Sequence, residues 1–218
     1  PIIFQNHIKL INQILLKDSN LKVSISFDDG YENILKYAPK SLENSNIQEK
    51  KVFIVTNYIG KYNSWDFSFY LNRYKHLNKN QIKELSSMKW DIGSHGLSHQ
   101  SFLSMSFDNA KNEIINSKNI LEDIVGNKII SIAPPFGQIN QRIYDICVEV
   151  GYKNIYLQNN FPKISLDTAN IFVRRNIYSI DNNLNILKKI KSENIERKKE
   201  KIISSFNNLT IFFSKYVS

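Results

Sequence analysis

Six short runs of β-branched, aromatic and other apolar residues lie at 23–27, 51–56, 90–92, 128–132, 154–157 and 171–178. Segments with helical spacing or helix-start signals separate most of them, and this alternation constrains the fold more than any other feature. Asn78 ahead of Lys79-Asn80-Gln81-Ile82-Lys83-Glu84-Leu85 reads as a helix start. Ser106 is placed to cap a long amphipathic helix, since Phe107, Ala110, Ile114, Leu121 and Val125 recur at helical spacing before Gly126 stops it. Strands that alternate with helices pair in parallel, and right-handed crossovers then put their C-terminal ends at one mouth. The expected fold class is therefore α/β. A chain of 218 residues suits a single core. One domain is expected over residues 1–181. Residues 182–218 form a basic extension with no Gly or Pro, read as helices packed outside the core through Leu184, Leu187, Ile202, Phe206 and Leu209.

Two of the strand ends carry chemistry. Ser26-Phe27-Asp28-Asp29-Gly30 ends an apolar run with adjacent carboxylates, and His95-Gly96-Leu97-Ser98-His99 follows the run at 90–92. Imidazoles four residues apart are expected on one face of a helical turn. With one carboxylate they make the two-histidine, one-carboxylate donor set that leaves coordination positions open. The other carboxylate is then free to act as a base. The competing readings are an Asp pair capping a helix that begins at Tyr31 and histidines that are simply hydrogen-bonded. His7 and His76 read as packing residues. Trp65 is either a platform for a sugar ring or an ordinary half-buried side chain, and Tyr58, Tyr62 and Tyr70 stand with it.

Composition removes other classes. The chain is 42% hydrophobic and 22% charged, too apolar for disorder. Its net charge of +9 comes with a general richness in Asn, Ile and Lys, and basic residues do not interleave with aromatics, so no nucleic-acid partner is expected. Residues 188–201 hold seven basic and three acidic side chains, a patch suited to peripheral contact with an anionic membrane. No run approaches a membrane span, and the first twenty residues carry His7, Lys9, Lys17 and Asp18. The expected address is cytoplasmic, at the membrane face where the basic segment engages it, or secreted or periplasmic if the chain is a processed form. Cys147 lies in the apolar row Ile139, Ile143, Ile146, Val150 and reads as core.

Taken in order with Ala133-Pro134-Pro135-Phe136-Gly137, these motifs resemble the polysaccharide deacetylase family, also called carbohydrate esterase family 4 or the NodB-homology domain. The likeness covers about residues 22–180. It implies a deformed (β/α) barrel, here with a C-terminal helical segment added, and a metal-dependent hydrolase that removes acetyl groups from N-acetylated sugars. Carried onto this chain, Asp29, His95 and His99 would be the metal ligands, Asp28 the base, and the Phe136 backbone N–H a donor to the developing oxyanion. Zn2+ is the first choice of ion, with Co2+, Ni2+ or Fe2+ compatible with the same donors. Pro135, Arg174, Arg175, Trp65 and Asp66 complete the candidates as substrate-contacting or tuning residues.

The chain departs from the family pattern twice. The Arg that opens the third motif is Ala133, and Arg174 or Arg175 is expected to substitute for it in space. The late histidine that protonates the leaving amine has no counterpart, because His7, His76, His95 and His99 are the only histidines. Either Asp28 hands its proton to the amine, or His76 or Asp66 enters the mouth. The expected substrate is an N-acetylhexosamine unit of a glycan, a glycolipid or a lipid-linked saccharide. Two alternatives stay open: a carbohydrate-binding or regulatory domain that keeps the metal and lost turnover, and a C–N hydrolase of another acyl amide.

Overall fold

The computed structural model describes residues 8–13, 16, 23–47, 49–64, 74–158, 164–177 and 183–190. Its strands are β1 (Ser24–Phe27), β2 (Glu49–Ile54), β3 (Asp91–Ser94), β4 (Ser131–Ile132), β5 (Asn154–Gln158) and β6 (Asn170–Arg174). They form one sheet in the order β1-β2-β3-β4-β5-β6, and every neighbouring pair is parallel. Residues 8–13 and 16 are helical, and the helices that follow are α1 (Glu32–Leu42), α2 (Lys79–Ser87), α3 (Phe107–Val125), α4 (Gln141–Glu149) and α5 (Asn183–Ile190). A strand order that never reverses is that of a singly wound, curling sheet.

Local signals account for the helix ends. Asn78 and Gln81 exchange side-chain and backbone hydrogen bonds in a capping box ahead of α2. The Ser106 hydroxyl accepts from the Asn109 N–H, and Gly126 closes α3 in the left-handed conformation at φ 71°.

Side-chain alternation along the strands explains why both faces of the sheet are buried. On β2, Val52 and Ile54 join the large core under the helices, while Phe53 packs with Ala133 and Tyr156 on the inner face. Ile155 and Leu157 of β5 face the helices in the same way. The inner face begins with polar groups. The buried Lys51 ammonium lies 2.9 Å from Asp91 and 3.1 Å from Glu49, and the Ser131 hydroxyl donates to the same Asp91 oxygen. Above them stand the rings of Phe53 and Tyr156, with Phe172 stacked on Tyr156 at 4.9 Å. The Arg174 guanidinium covers the Phe53 ring at 5.1 Å.

Arg174 also shows how far the sheet curls. From the end of β6 it donates to the Ser26 hydroxyl on β1 at 3.0 Å and to Asp28 just beyond β1. Among the described residues no backbone ladder joins β6 to β1, so side chains close this seam. The deformed barrel expected from the sequence is the observed architecture.

Three expectations change. The run at 128–132 yields only the two-residue β4. At Ile129, α3 side chains take the place of a strand partner: Lys118 donates to its carbonyl and Glu122 accepts from its N–H. The run at 171–178 ends as strand at Arg174. In α5 Ile186 is buried, whereas Leu184, expected to pack, is 66% exposed; the Leu187 side chain is outside the described ones. The remainder of the basic extension lies outside the described residues. No helix among the described residues is long and apolar enough to cross a membrane. Cys147 is buried as expected, and burial pushes its thiol up to about 12.

The inner face leaves no room at Gly93, two residues before His95. A Cβ there would stand 2.5 Å from the Phe53 ring and 3.0 Å from the Ser131 carbonyl oxygen. Gly93→Ala is expected to destabilise the protein by about 1–3 kcal/mol, measured as a lowered midpoint of urea unfolding at unchanged slope.

Candidate metal centre

β1 delivers the chain to Asp28 on the inner face, and the next two residues turn it out of the sheet. Asp29 and Gly30 both adopt left-handed conformations, at φ 67° and 70°, and the Gly30 N–H closes the turn on the Asp28 carbonyl at 2.9 Å. Asp tolerates this region better than most residues. The helix that follows starts at Glu32, with Tyr31 as its N-cap and no side-chain cap, so neither carboxylate is spent on capping.

β3 delivers His95. Its N–H donates to the Ile54 carbonyl, and its ring Nδ1 lies 2.5 Å from the Ala133 carbonyl. A carbonyl only accepts, so Nδ1 carries the proton and Nε2 keeps its lone pair. The expected helical turn from His95 to His99 is not formed. Residues 95–99 are an irregular loop with Gly96 at φ 78° and His99 at φ 63°. Its backbone hydrogen bonds go elsewhere: the Thr56 and Asn57 N–H groups donate to the Gly96 and Leu97 carbonyls. Glu113 of α3 accepts from the N–H of Leu97 (2.8 Å), the N–H of Ser98 (3.1 Å) and the Ser98 hydroxyl (2.7 Å). These partners satisfy the loop as a helix would and still bring the two rings to 5.2 Å.

Asp29 Oδ1 lies 3.2 Å from His99 Nε2 and 3.5 Å from His95 Nε2. Donor atoms from the three residues all fall within 4.8 Å of one another. Ligands held about 2.0–2.1 Å from a tetrahedral ion stand about 3.3 Å apart, so the donor set fits a small divalent cation. Electrostatics agree. Burial pushes the His95 imidazole down, favouring its neutral, ligating form. At Asp29 burial raises the carboxyl, but the His99 contact and the two imidazoles more than offset this and leave it below the ordinary value.

Asp28 stands outside the triad. Its oxygens receive two bonds from Arg174, Nη1 to Oδ1 at 2.6 Å and Nη2 to Oδ2 at 3.0 Å. Burial raises its carboxyl, but the guanidinium, followed by the histidines, outweighs burial and lowers it to about 2. Of the two arginines open from the sequence, Arg174 is the one at Asp28. Arg175 follows the last residue of β6, and consecutive residues at a strand end point to opposite sides. Gln158 approaches Asp28 more loosely, at 3.5 Å.

Across the site, Pro134–Gly137 make a tight loop with Phe136 and Gly137 left-handed, and the Phe136 ring lies 5.4 Å from that of His99. Pro135 is buried within this loop. Trp65 and Asp66 lie outside the described residues. His76, open from the sequence as a proton donor, is 1% exposed between the rings of Tyr31 and Tyr58. Sequence reasoning missed Glu113. The available signal was a carboxylate beside the apolar stripe Ala110, Ile114, Leu121 of an otherwise amphipathic helix.

The family described as polysaccharide deacetylase matches residues 17–155. Among solved structures, the chain is similar to the Streptococcus pyogenes deacetylase PplD in complex with acetate: 18% identity, TM-score 0.67, 86% of this chain and 85% of that one. It is similar to a de-N-acetylase from Aggregatibacter actinomycetemcomitans at 17% identity and TM-score 0.60, over 86% and 87% of the two chains. A polysaccharide deacetylase from Bacillus cereus gives 17% identity and TM-score 0.63, over 86% of this chain and 60% of that one. At these identities the likeness shows a shared fold. A search of curated proteins gave no match.

Metal analysis of the purified protein is expected to find about one equivalent of divalent ion per chain, and His95→Ala to abolish it. Full retention by that variant would refute the ligand assignment.

Proposed function

The chain belongs to the polysaccharide deacetylase family, a family of carbohydrate N-deacetylases, and on that footing we propose that it removes N-acetyl groups from N-acetylhexosamine units of a glycan or lipid-linked saccharide. The observation that carries this reading is the separation of the two carboxylates. Asp29 joins His95 and His99 in one donor set, while Asp28 is held beside it by Arg174.

In this reading Asp29 Oδ1, His95 Nε2 and His99 Nε2 hold a divalent ion, zinc by first choice. Such an ion acidifies a water and polarises an acyl carbonyl. Asp28 accepts the proton of the attacking water as oxygen adds to the acyl carbon. The Phe136 N–H donates to the oxygen that gains charge, a kind of contact whose loss costs about 3 kcal/mol in barrier. The C–N bond then breaks, and Asp28 passes its proton to the leaving amine nitrogen, giving a free amine and acetate. A carboxyl whose pKa lies near 2 is a weak base but, once protonated, a ready acid, which suits this second transfer in a chain with no histidine after Phe136. The Streptococcus pyogenes neighbour is described with acetate, the product this reaction would release. We further propose that the basic residues of 188–201 bring the protein to an anionic membrane face, each near-surface cation contributing about 1 kcal/mol.

Turnover of chitooligosaccharides or a lipid-linked N-acetylhexosamine, followed as released amine, tests the reading. Asp28→Asn is expected to lower kcat by about 10²- to 10⁴-fold with metal content retained. A parent protein that binds these sugars without releasing amine would favour a binding domain instead.

Arg174 supplies a pH signature. With it present, Asp28 loses its charge only far below neutrality, so the acidic limb of kcat/KM is set by other groups. Arg174→Met leaves burial unopposed by the guanidinium, the Asp28 pKa rises, and the acidic limb moves to higher pH by about one unit or more. Arg175→Met is expected to leave the limb in place.

A further inference from the structure

His76 is more deeply buried than either histidine of the metal centre, and its surroundings join it to Asp29. The ring sits 4.7 Å from that of Tyr31 and 5.5 Å from that of Tyr58. Its Nδ1 lies 2.8 Å from the Asp29 carbonyl oxygen. That oxygen can only accept, so Nδ1 carries the proton and donates.

The bond falls where the chain most needs a restraint. Asp29 and Gly30 are consecutive left-handed residues, and their shared peptide sets the direction in which the Asp29 side chain leaves the backbone. Neighbouring residues are held by backbone bonds. Leu77 N–H donates to the Gly30 carbonyl and Glu32 N–H to the Lys75 carbonyl, both at 2.8 Å, and Tyr31 bridges His76 in antiparallel fashion. The His76 N–H is itself anchored on the Lys61 carbonyl at 2.8 Å. The carbonyl of Asp29 is held by the His76 ring.

We propose that His76 is a positioning residue for the metal centre, fixing the Asp29 peptide so that its carboxylate meets His95 and His99; the inference rests on the metal-binding reading above. Partners that orient a ligand in this way are typically worth 10- to 100-fold in metal affinity.

The test uses the full chain stripped of metal, titrated with Co2+ and followed by its visible d–d absorption, with the thermal midpoint of each apo protein measured alongside. His76→Asn keeps an N–H at the position of Nδ1, whereas His76→Leu has nearly the same shape and no donor. Asn is expected to bind Co2+ within about three-fold of the parent, and Leu about ten-fold or more weakly, while the two apo midpoints fall alike. Equal Co2+ affinity of the Asn and Leu variants overturns the proposal. Should the Leu variant fail to fold, His76→Gln, whose amide reaches one bond too far, replaces it. Gln about ten-fold weaker than Asn then supports the proposal, and equality overturns it. A parent protein that takes up no Co2+ refutes the metal reading and this inference together. A parent that binds while Asn and Leu behave alike refutes the inference alone.

Discussion

The bidentate pair between Arg174 and Asp28 is the constraint on which the rest of the structure depends. β6 and β1 carry no backbone ladder between them among the described residues, and the guanidinium crosses that gap to Asp28 and to the Ser26 hydroxyl. It is pinned from below by the Phe53 ring, so its planar fork arrives already oriented. One contact therefore does two things: it closes the wall, and it sets the charge and direction of the carboxylate next to the donor triad.

Much of this was legible beforehand, for physical reasons. Strand runs, the Asn78 capping box, the Ser106 cap and the Gly126 stop are local, and local interactions survive transfer into the fold. The three motifs were legible because parallel topology brings strand ends to one mouth whatever the intervening sequence. The irregular His95–His99 loop was not. An HxxxH spacing fits one helical face, but the backbone partners that make a non-helical path affordable come from Thr56, Asn57 and Glu113, all distant in sequence. The choice between Arg174 and Arg175 likewise depended on where β6 ends, and boundaries respond to tertiary contacts.

The inner face of the barrel has a vertical order that follows from the period-two alternation of its strands. Lys51, Asp91, Glu49 and Ser131 satisfy one another at the base, aromatic rings fill the middle, and Arg174 with Asp28 form the floor of the candidate site. A buried ammonium is tolerable there because Asp91 and Glu49 both pair with Lys51. The aromatic layer separates that base from Asp28, so the two ionic clusters remain distinct.

Four described residues other than glycine take left-handed backbone angles, and three of them, Asp29, His99 and Phe136, surround the candidate site. Each forgoes about 1–2 kcal/mol that a glycine in the same place would not. Glycine at Asp29 or His99 would relieve that cost and take a donor of the triad away with it, whereas at Phe136 it would spare the backbone N–H.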